Sequence, residues 1–310
     1  MKIKSKLFIA TSSFSLNLEN FEKNINFSNY KILLNPLKKK LTGHQLIKLA
    51  KDSEIIIAGT ETYDKEVLSK LHKLKFIFRM GSGTDNIDLE YLKDNKIGFA
   101  KSKITPEVAV AELVIGYILS FYRNIHEHDQ NLKNQIWKKK MGSLLKGKTL
   151  GIIGYGKVGK HLHKIIKNFG VKLLINDVKK ISQKNSKLEN LIKQSDIISI
   201  NINHSTKKKI LNKQKLSLCK RDSLIINTSR SEVIDNNYLY KLLKSKKILG
   251  ACMDVYDQEP YYGKFTKLDN VILTPHIGSY SKEIRSEMEK EAFSYILLYQ
   301  VPFRLKVQFP

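Results

Sequence analysis

The 310-residue sequence predicts an α/β protein built on parallel sheets. Short apolar runs alternate along the chain with longer stretches of helical periodicity, which is the signature of strands joined by helical crossovers. A glycine-rich turn sits directly between one such run and one such stretch. Several clusters of polar residues fall just beyond apolar runs, where an open parallel sheet presents its ligands.

The strand-like runs are residues 5–10, 55–58, 76–80, 149–154, 173–177, 197–202, 223–227 and 271–274. Helical patterns fall between them. Thr105-Pro106-Glu107 reads as a helix start, with Thr105 as N-cap and Pro106 in the first turn. After it, Val108, Ala111, Val114, Ile115 and Ile118 recur at helical spacing. The length is enough for two domains, each with its own core. No internal repeat or low-complexity linker interrupts the pattern.

Apolar residues make up 42% of the chain and charged residues 27%, as expected of a soluble globular protein. The most apolar stretch, 108–122, is interrupted by Glu112 and is too short to span a membrane. The N-terminal apolar run is too short for a secretory h-region, so the expected location is the cytoplasm. Cys219 and Cys252 are expected as reduced thiols, and no spacing suggests a metal site. The net charge of +26 raises the question of nucleic acid. The lysines are spread along the whole chain, without interleaved aromatics, so they read as a solvated surface and not as a nucleic-acid interface. Their positive field would still raise the local concentration of anionic substrates.

Gly154-Tyr155-Gly156-Lys157-Val158-Gly159 follows the apolar run 150–153 and opens a helical pattern through Leu162, Ile165 and Ile166. Gly154 permits a tight turn, Gly156 lets backbone approach a pyrophosphate, and Gly159 lets the helix pack closely on the strand. The helix N-terminus, with Lys157 and Val158, then presents N–H groups and a positive dipole end to phosphates. A second strand follows and ends in Asp177, eighteen positions after Gly159. A carboxylate there can accept from both ribose hydroxyls and repels a 2′-phosphate, which favours NAD over NADP. Lys179 and Lys180 work against that preference.

Three more segments place polar side chains beyond apolar runs: 224–230, ending in Thr228-Ser229-Arg230; 252–260, with Asp254 and Glu259; and 271–279, with His276, Gly278 and Ser279. Taken singly, each has an ordinary reading as a surface cation, a loop carboxylate or a loop histidine.

Taken together with the glycine turn, these segments resemble the D-isomer-specific 2-hydroxyacid dehydrogenase family, and its phosphoglycerate dehydrogenase-like branch in particular. The resemblance extends to Arg79-Met80-Gly81-Ser82-Gly83-Thr84-Asp85-Asn86-Ile87-Asp88, to Val110-Ala111-Glu112-Leu113, and to Trp137 ahead of 145–151. It implies two Rossmann-like domains with parallel sheets. An NAD-binding domain over 101–278 would be inserted into a discontinuous substrate domain of 1–100 plus 279–310, with the active site in a cleft closed by a hinge motion. No further C-terminal domain is expected. The implied reaction moves a hydride between nicotinamide and the 2-position of a small D-2-hydroxy or 2-oxo acid, with 3-phosphoglycerate as one candidate. A hydroxypyruvate or glyoxylate reductase, and a non-catalytic NAD-sensing corepressor on the same fold, stay open as alternatives.

By motif position, His276 resembles the general acid–base, Glu259 its carboxylate partner, and Arg230 the residue holding the substrate carboxylate and carbonyl. Asp254 resembles the acid near the nicotinamide amide. Thr228, Ser229, Gly278 and Ser279 resemble residues lining the cofactor, and Arg79, Ser82 and Gly83 residues on the substrate side. Family members are usually homodimers, with contacts around 112–141. The chemistry suits these residue types: histidine titrates near neutral pH, and arginine offers a bidentate fork to a carboxylate.

The sequence departs from the family at several points. Ser231 stands where glycine commonly follows the arginine. The segment 199–204 carries asparagines where His and Pro are common, and Pro106 replaces an asparagine of many phosphoglycerate enzymes. Ala58-Gly59-Thr60-Glu61 replaces the Arg-Ser pair that binds phosphate in well-known members.

Overall fold

A computed structural model describes residues 5–12, 14, 30–81, 83–179, 181, 183–202 and 209–300. The chain divides into two compact units: Met1–Thr105 with Tyr280–Pro310, and Pro106–Ser279. Each is a parallel α/β unit of Rossmann-like build, the second inserted in the sequence of the first.

The first unit holds five strands: β1 (Ser5–Ile9), β2 (Tyr30–Leu34), β3 (Ile55–Ala58), β4 (Phe76–Arg79) and β5 (Gly98–Lys101). Their order is β2-β1-β3-β4-β5, and every pair is parallel. Side chains alternate across a strand, and here both faces are apolar. Phe8, Ile56 and Ile77 pack with Leu46, Val67 and Leu68 on one face. Leu7, Ile9, Ile57 and Phe78 pack with Met288, Ala292, Phe293 and Ile296 on the other. The last four lie on the helix Lys282–Gln300. β2 and β5 were absent from the apolar runs read off the sequence, and both are edge strands. An edge strand needs no continuous apolar run, as the partly exposed pattern of β2 shows.

The second unit holds β6 (Thr149–Ile153), β7 (Lys172–Asn176), β8 (Ile197–Ile200), β9 (Leu224–Asn227), β10 (Gly250–Met253) and β11 (Val271–Leu273). Their order is β11-β10-β9-β8-β6-β7, again parallel throughout. The winding reverses at β6: β7 lies on one side of it and β8 on the other. Ligands of open α/β sheets bind beyond the strand C-termini at such a switch point. One face is covered by Leu191, Leu239, Leu242 and Leu243, the other by Val114, Tyr117, Ile118, Leu162 and Ile166.

The helix Glu107–Tyr122 starts one residue later than expected. Pro106, not Thr105, occupies the N-cap, with no side-chain cap bond, and its carbonyl accepts from Val110 N at 2.9 Å. Val110, Ala111, Val114, Tyr117 and Ile118 of this helix are buried in the unit's own core. Among the described residues, no single helix is long and apolar enough to cross a membrane.

Candidate active site

In the second unit the sequence-predicted residues gather at one edge of the sheet. The glycine turn follows β6, and Asp177 follows β7. Residues 228–230 follow β9, 254–259 follow β10, and 274–279 follow β11. Because all six strands are parallel, these are all C-terminal ends, and β9, β10 and β11 are neighbours.

The glycine turn has the shape its sequence requires. Gly154 takes φ +90°, a region that side chains avoid, and an added Cβ would lie 2.6 Å from the Asn201 carbonyl oxygen. A Cβ on Gly159 would lie 2.2 Å from Gly154 O, so the helix Lys157–Ile166 can approach the turn only as glycine. Gly156 differs, because a Cβ there meets nothing within 4 Å. It is the N-cap of that helix and carries no side-chain cap, so the first turn presents its N–H groups to open space beside exposed Lys157 and half-buried Val158. Asp177 Oδ2 accepts from Tyr155 N at 2.6 Å, and Oδ1 accepts from Lys179 N at 2.8 Å. The carboxylate therefore braces the turn from the next strand. Lys180 lies outside the described residues, as do Asn203 and His204.

An uncapped helix N-terminus, an open glycine cradle and an acid on the neighbouring strand fit a dinucleotide. Beyond β9, Thr228 Oγ1 is buried without a hydrogen-bond partner among the described residues. The adjacent Ser229 is turned inward: its N and Oγ both donate to Asn227 Oδ1, at 3.1 and 3.0 Å.

His276 Nδ1 lies 2.9 Å from Glu259 Oε2 and 3.1 Å from Oε1. The pair is half-buried, with side-chain exposures of 37% for His276 and 20% for Glu259. Glu259 Oε1 also accepts from Tyr256 N at 3.3 Å. The histidine sits in a left-handed backbone conformation, φ +55°, that costs a non-glycine residue about 1–3 kcal/mol. Asp254 holds it there. This carboxylate, 0% exposed, accepts from Thr274 Oγ1, from Ile277 N at 2.7 Å and from Gly278 N at 2.8 Å, gripping the turn on both sides of His276. Burial pushes the Asp254 carboxyl above the usual range, and these three donors pull part of the way back. A Cβ on Gly278 would come within 3.1 Å of Asp254 Oδ2, so glycine fits that contact. Ser279, half-buried, closes the segment.

Arg230 is half-buried, and its Nη1 donates to Ser229 O at 2.8 Å. Its own carbonyl accepts from Asn227 Nδ2 at 2.8 Å. One buried asparagine at the end of β9 thus organises the whole 227–230 turn.

In the first unit, Arg79 closes β4 and is 9% exposed. Its guanidinium turns back into its own loop, donating to Met80 O and to Asn86 Oδ1. Gly83 is half-buried in that loop. Ser82 lies outside the described residues. Glu61, 1% exposed, accepts from Gly59 N at 2.8 Å, and burial raises its carboxyl above the usual range.

Three supporting side chains were given no role from the sequence. Tyr256 OH bonds to Met253 O and Thr274 O, at 2.8 and 2.9 Å, tying the ends of β10 and β11 together. Tyr117 OH meets Thr274 Oγ1, and Asn227 holds the arginine turn. Tyr256 and Asn227 stood inside recognised segments, so their position was visible. Tyr117 reads in sequence as one more core residue of an apolar helix.

Comparison with known proteins identifies the family. Residues 115–278 match the NAD-binding domain of the D-isomer specific 2-hydroxyacid dehydrogenases. The chain is 36% identical over 265 residues to the glyoxylate reductase of Thermococcus litoralis, covering 79% of this chain and 80% of that protein. It is 33% identical to the hydroxypyruvate reductase of Thermotoga maritima, covering 78% and 83%. It is also 33% identical to the D-3-phosphoglycerate dehydrogenase of Methanocaldococcus jannaschii, of which only 49% is covered. Among solved structures, Salmonella D-lactate dehydrogenase superposes with a TM-score of 0.78 at 25% identity, over 94% of this chain and 95% of that one. An acyclic imino acid reductase in complex with NADPH and D-Arg superposes at 0.80 and 26% identity, over 98% and 100%. The chain belongs to the D-isomer-specific 2-hydroxyacid dehydrogenase family and is an NAD-dependent oxidoreductase of small 2-hydroxy and 2-oxo acids.

Proposed function

We propose that His276, Glu259 and Arg230 carry the reaction, and that the substrate is a small unphosphorylated 2-oxo acid of the glyoxylate or hydroxypyruvate kind. The His276–Glu259 contact carries the first part. With Nδ1 facing the carboxylate, Nε2 is left to take the C2 hydroxyl proton, or to return it to the C2 oxygen in the reduction direction. Glu259 fixes the ring and stabilises the imidazolium. The bound nicotinamide would supply the redox chemistry, taking the C2 hydride in its oxidised form, NAD⁺, and giving one to C2 in its reduced form, NADH. Arg230 offers the substrate carboxylate a cation whose fork is oriented by the Ser229 carbonyl.

The residues suited to hold NAD are Gly154, Gly156, Lys157, Val158 and Gly159 for the pyrophosphate, Asp177 for the ribose, and Thr228 Oγ1 for a polar group beyond β9. Asp254 serves the site by holding the turn of His276; in the first unit, Arg79 shapes its own loop through Met80 O and Asn86. Asp177 disfavours a 2′-phosphate, so NAD is preferred over NADP.

Glu61 speaks against a phosphorylated substrate. Its turn is the one where well-known phosphoglycerate enzymes carry Arg-Ser, and a buried carboxylate does not attract a dianion. The long matches to glyoxylate and hydroxypyruvate reductases point the same way.

A homodimer is proposed from the helix Ile125–Lys133, which buries none of its residues within the chain, and from the segment after it, where Trp137 is 81% and Met141 96% exposed. A cytoplasmic setting is in keeping with an NAD enzyme whose two cysteines are unpaired.

The test is NADH oxidation by the purified protein across glyoxylate, hydroxypyruvate, phosphohydroxypyruvate, pyruvate and 2-oxoglutarate. Glyoxylate or hydroxypyruvate is expected to give the highest kcat/KM. Preferential turnover of the phosphorylated acid would reverse the substrate assignment, and NADH binding without any turnover would refute the catalytic one.

A further inference from the structure

One hydroxyl joins the turn of Arg230 to the loop of Glu259. Ser231 is 3% exposed, and its Oγ donates to Asp257 Oδ1 at 2.7 Å. Asn236 closes a triangle: its Nδ2 donates to the same Asp257 oxygen at 2.9 Å and to Ser231 Oγ at 2.8 Å. Asn236 is the first residue of the helix Asn236–Lys244, so this corner of the triangle is mounted on a regular element. Ser231 directly follows Arg230, and Asp257 precedes Glu259 by two residues.

We infer that Ser231, Asn236 and Asp257 are a positioning set that holds Arg230 in register with the Glu259–His276 pair. The inference rests on the catalytic assignment proposed above. The Arg230 turn is held twice. On the strand side, Asn227 Nδ2 donates to Arg230 O; on the loop side, Ser231 reaches Asp257. Removing the hydroxyl leaves the first hold in place, so the turn keeps its shape but loses its direct tie to the Glu259 loop; what remains runs through Asn236 Nδ2, which donates to Asp257 Oδ1 at 2.9 Å and to Ser231 O at 3.3 Å. Behind the triangle lies a cavity of about 230 Å³, bordered by Met253, Tyr256, Tyr261 and Phe265. Asp254 and Tyr256 stay anchored, but no close-packed wall would stop residues 257–259 from shifting into that space once the bond is gone.

The consequence for chemistry follows from the substrate. Its carboxylate and its reacting carbon are adjacent atoms, so a small change between Arg230 and His276 misaligns proton transfer at C2. The charge of Arg230 remains, so ground-state attraction for the carboxylate is mostly kept. The loss falls on kcat more than on KM. Ser231 is not among the residues with positive φ, so the position accepts a side chain without strain where glycine is common in the family.

The test is steady-state kinetics on Ser231→Ala, Asp257→Ala, the double variant and Ser231→Thr, with NADH affinity followed by fluorescence titration. Each single Ala variant is expected to lower kcat by about 5- to 30-fold, the effect of one lost charge-assisted hydrogen bond. KM and NADH affinity should stay within about twofold. The double variant should be no worse than the worse single. Ser231→Thr should retain most of kcat, because the hydroxyl stays and the cavity takes the methyl. Asp257 lies on an exposed part of its loop, so its Ala variant reads the same tie even if Ser231→Ala fails to fold. Unchanged kcat in the single variants, or independent losses that multiply in the double, would overturn the inference. His276→Asn is measured alongside. If it abolishes turnover while the Ser231 and Asp257 variants match wild type, the positioning set alone is wrong. If His276→Asn leaves turnover intact, the catalytic assignment falls, and the positioning set with it.

Discussion

His276 turns Nδ1 toward Glu259, 2.9 Å from Oε2, while its own backbone is held left-handed by the buried carboxylate of Asp254. One acid orients the ring and the other holds the main chain, so the two carboxylates do different work on one residue. His276→Ala should lower kcat by about 10²- to 10⁴-fold with NADH affinity little changed. Asp254→Asn should act differently. It turns one acceptor into a donor facing backbone N–H groups, so it should reduce thermal stability as well as kcat. Paired kinetic and thermal-unfolding measurements separate the two; equal loss of stability in both variants would contradict the division.

The glycines of the nucleotide turn make a second pair with separable outcomes. Gly156→Ala places a methyl group in open space, so the fold should tolerate it while NADH affinity drops by about tenfold or more. Gly159→Ala drives a methyl against the Gly154 carbonyl, backbone against backbone, and should cost about 1–3 kcal/mol of stability. Chemical denaturation and NADH titration on both variants check this. A normal NADH affinity in Gly156→Ala would mean that the pyrophosphate does not approach there.

Asp177 combines two tasks, since it is placed for a ribose and also braces the glycine turn through Tyr155 N. Asp177→Ala should therefore weaken NADH binding and at the same time move the NADPH to NADH ratio of kcat/KM toward NADPH. A wild-type preference for NADPH would show that Lys179 and its neighbours outweigh the carboxylate.

Much of this was legible because chemistry and pattern coincide. Six of the eight apolar runs are interior strands buried over most of their length, and a continuous run of that kind has few other readings; the other two, β7 and β11, are partly buried strands at the edges of the second sheet. The glycine turn was legible because only glycine meets its steric demands at Gly154 and Gly159. The edge strands β2 and β5 were not, because half-exposed strands mix lysine with apolar residues. β10 was visible only as the stretch before Asp254, because Gly-Ala-Cys-Met has weak strand preference. Within the site, the partnership of His276 and Glu259 was suggested by family motifs, but the grip of Asp254 on residues 274–278 was not. It links positions about twenty residues apart, and two of its three donors are main-chain N–H groups, which leave no trace in side-chain identity. The inward fold of the Arg79 guanidinium is hidden for the same reason, since one of its acceptors is the carbonyl of Met80.

Trp137 is the sole tryptophan of the chain, which makes the exposed arm self-reporting. If the arm packs against a second copy, emission from the concentrated protein should be blue-shifted and should move to the red on dilution. Met141→Lys should place a charge in the covered surface, halve the mass measured by light scattering and produce the same red shift at all concentrations. A wild-type monomer with fully exposed emission would rule out the dimer.

At the opposite edge of the second sheet, ahead of β8, Asp196 should act on stability alone. Burial pushes its carboxyl up, but the Lys220 hydrogen bond at 2.9 Å, the Thr149 N–H at 2.7 Å and the charges of Lys220 and Lys148 together push it further down. It ends below its ordinary value. A carboxyl depressed in the folded state binds fewer protons there than in the unfolded chain. Its stabilisation is therefore complete above the ordinary carboxylate range and fades as pH falls through the folded-state value. Asp196→Asn should lower stability at pH 7 by about 1–3 kcal/mol, the worth of a hydrogen bond to a charged partner. That deficit should shrink as the pH is taken from about 5 toward 3, where the wild-type carboxyl is itself becoming neutral. Activity per folded molecule should be unchanged, because Asp196 lies at the N-terminal end of its strand, away from every residue assigned to the chemistry. Thermal unfolding followed by circular dichroism across that range provides the check. A deficit that stays constant with pH would mean that Asp196 contributes shape rather than charge.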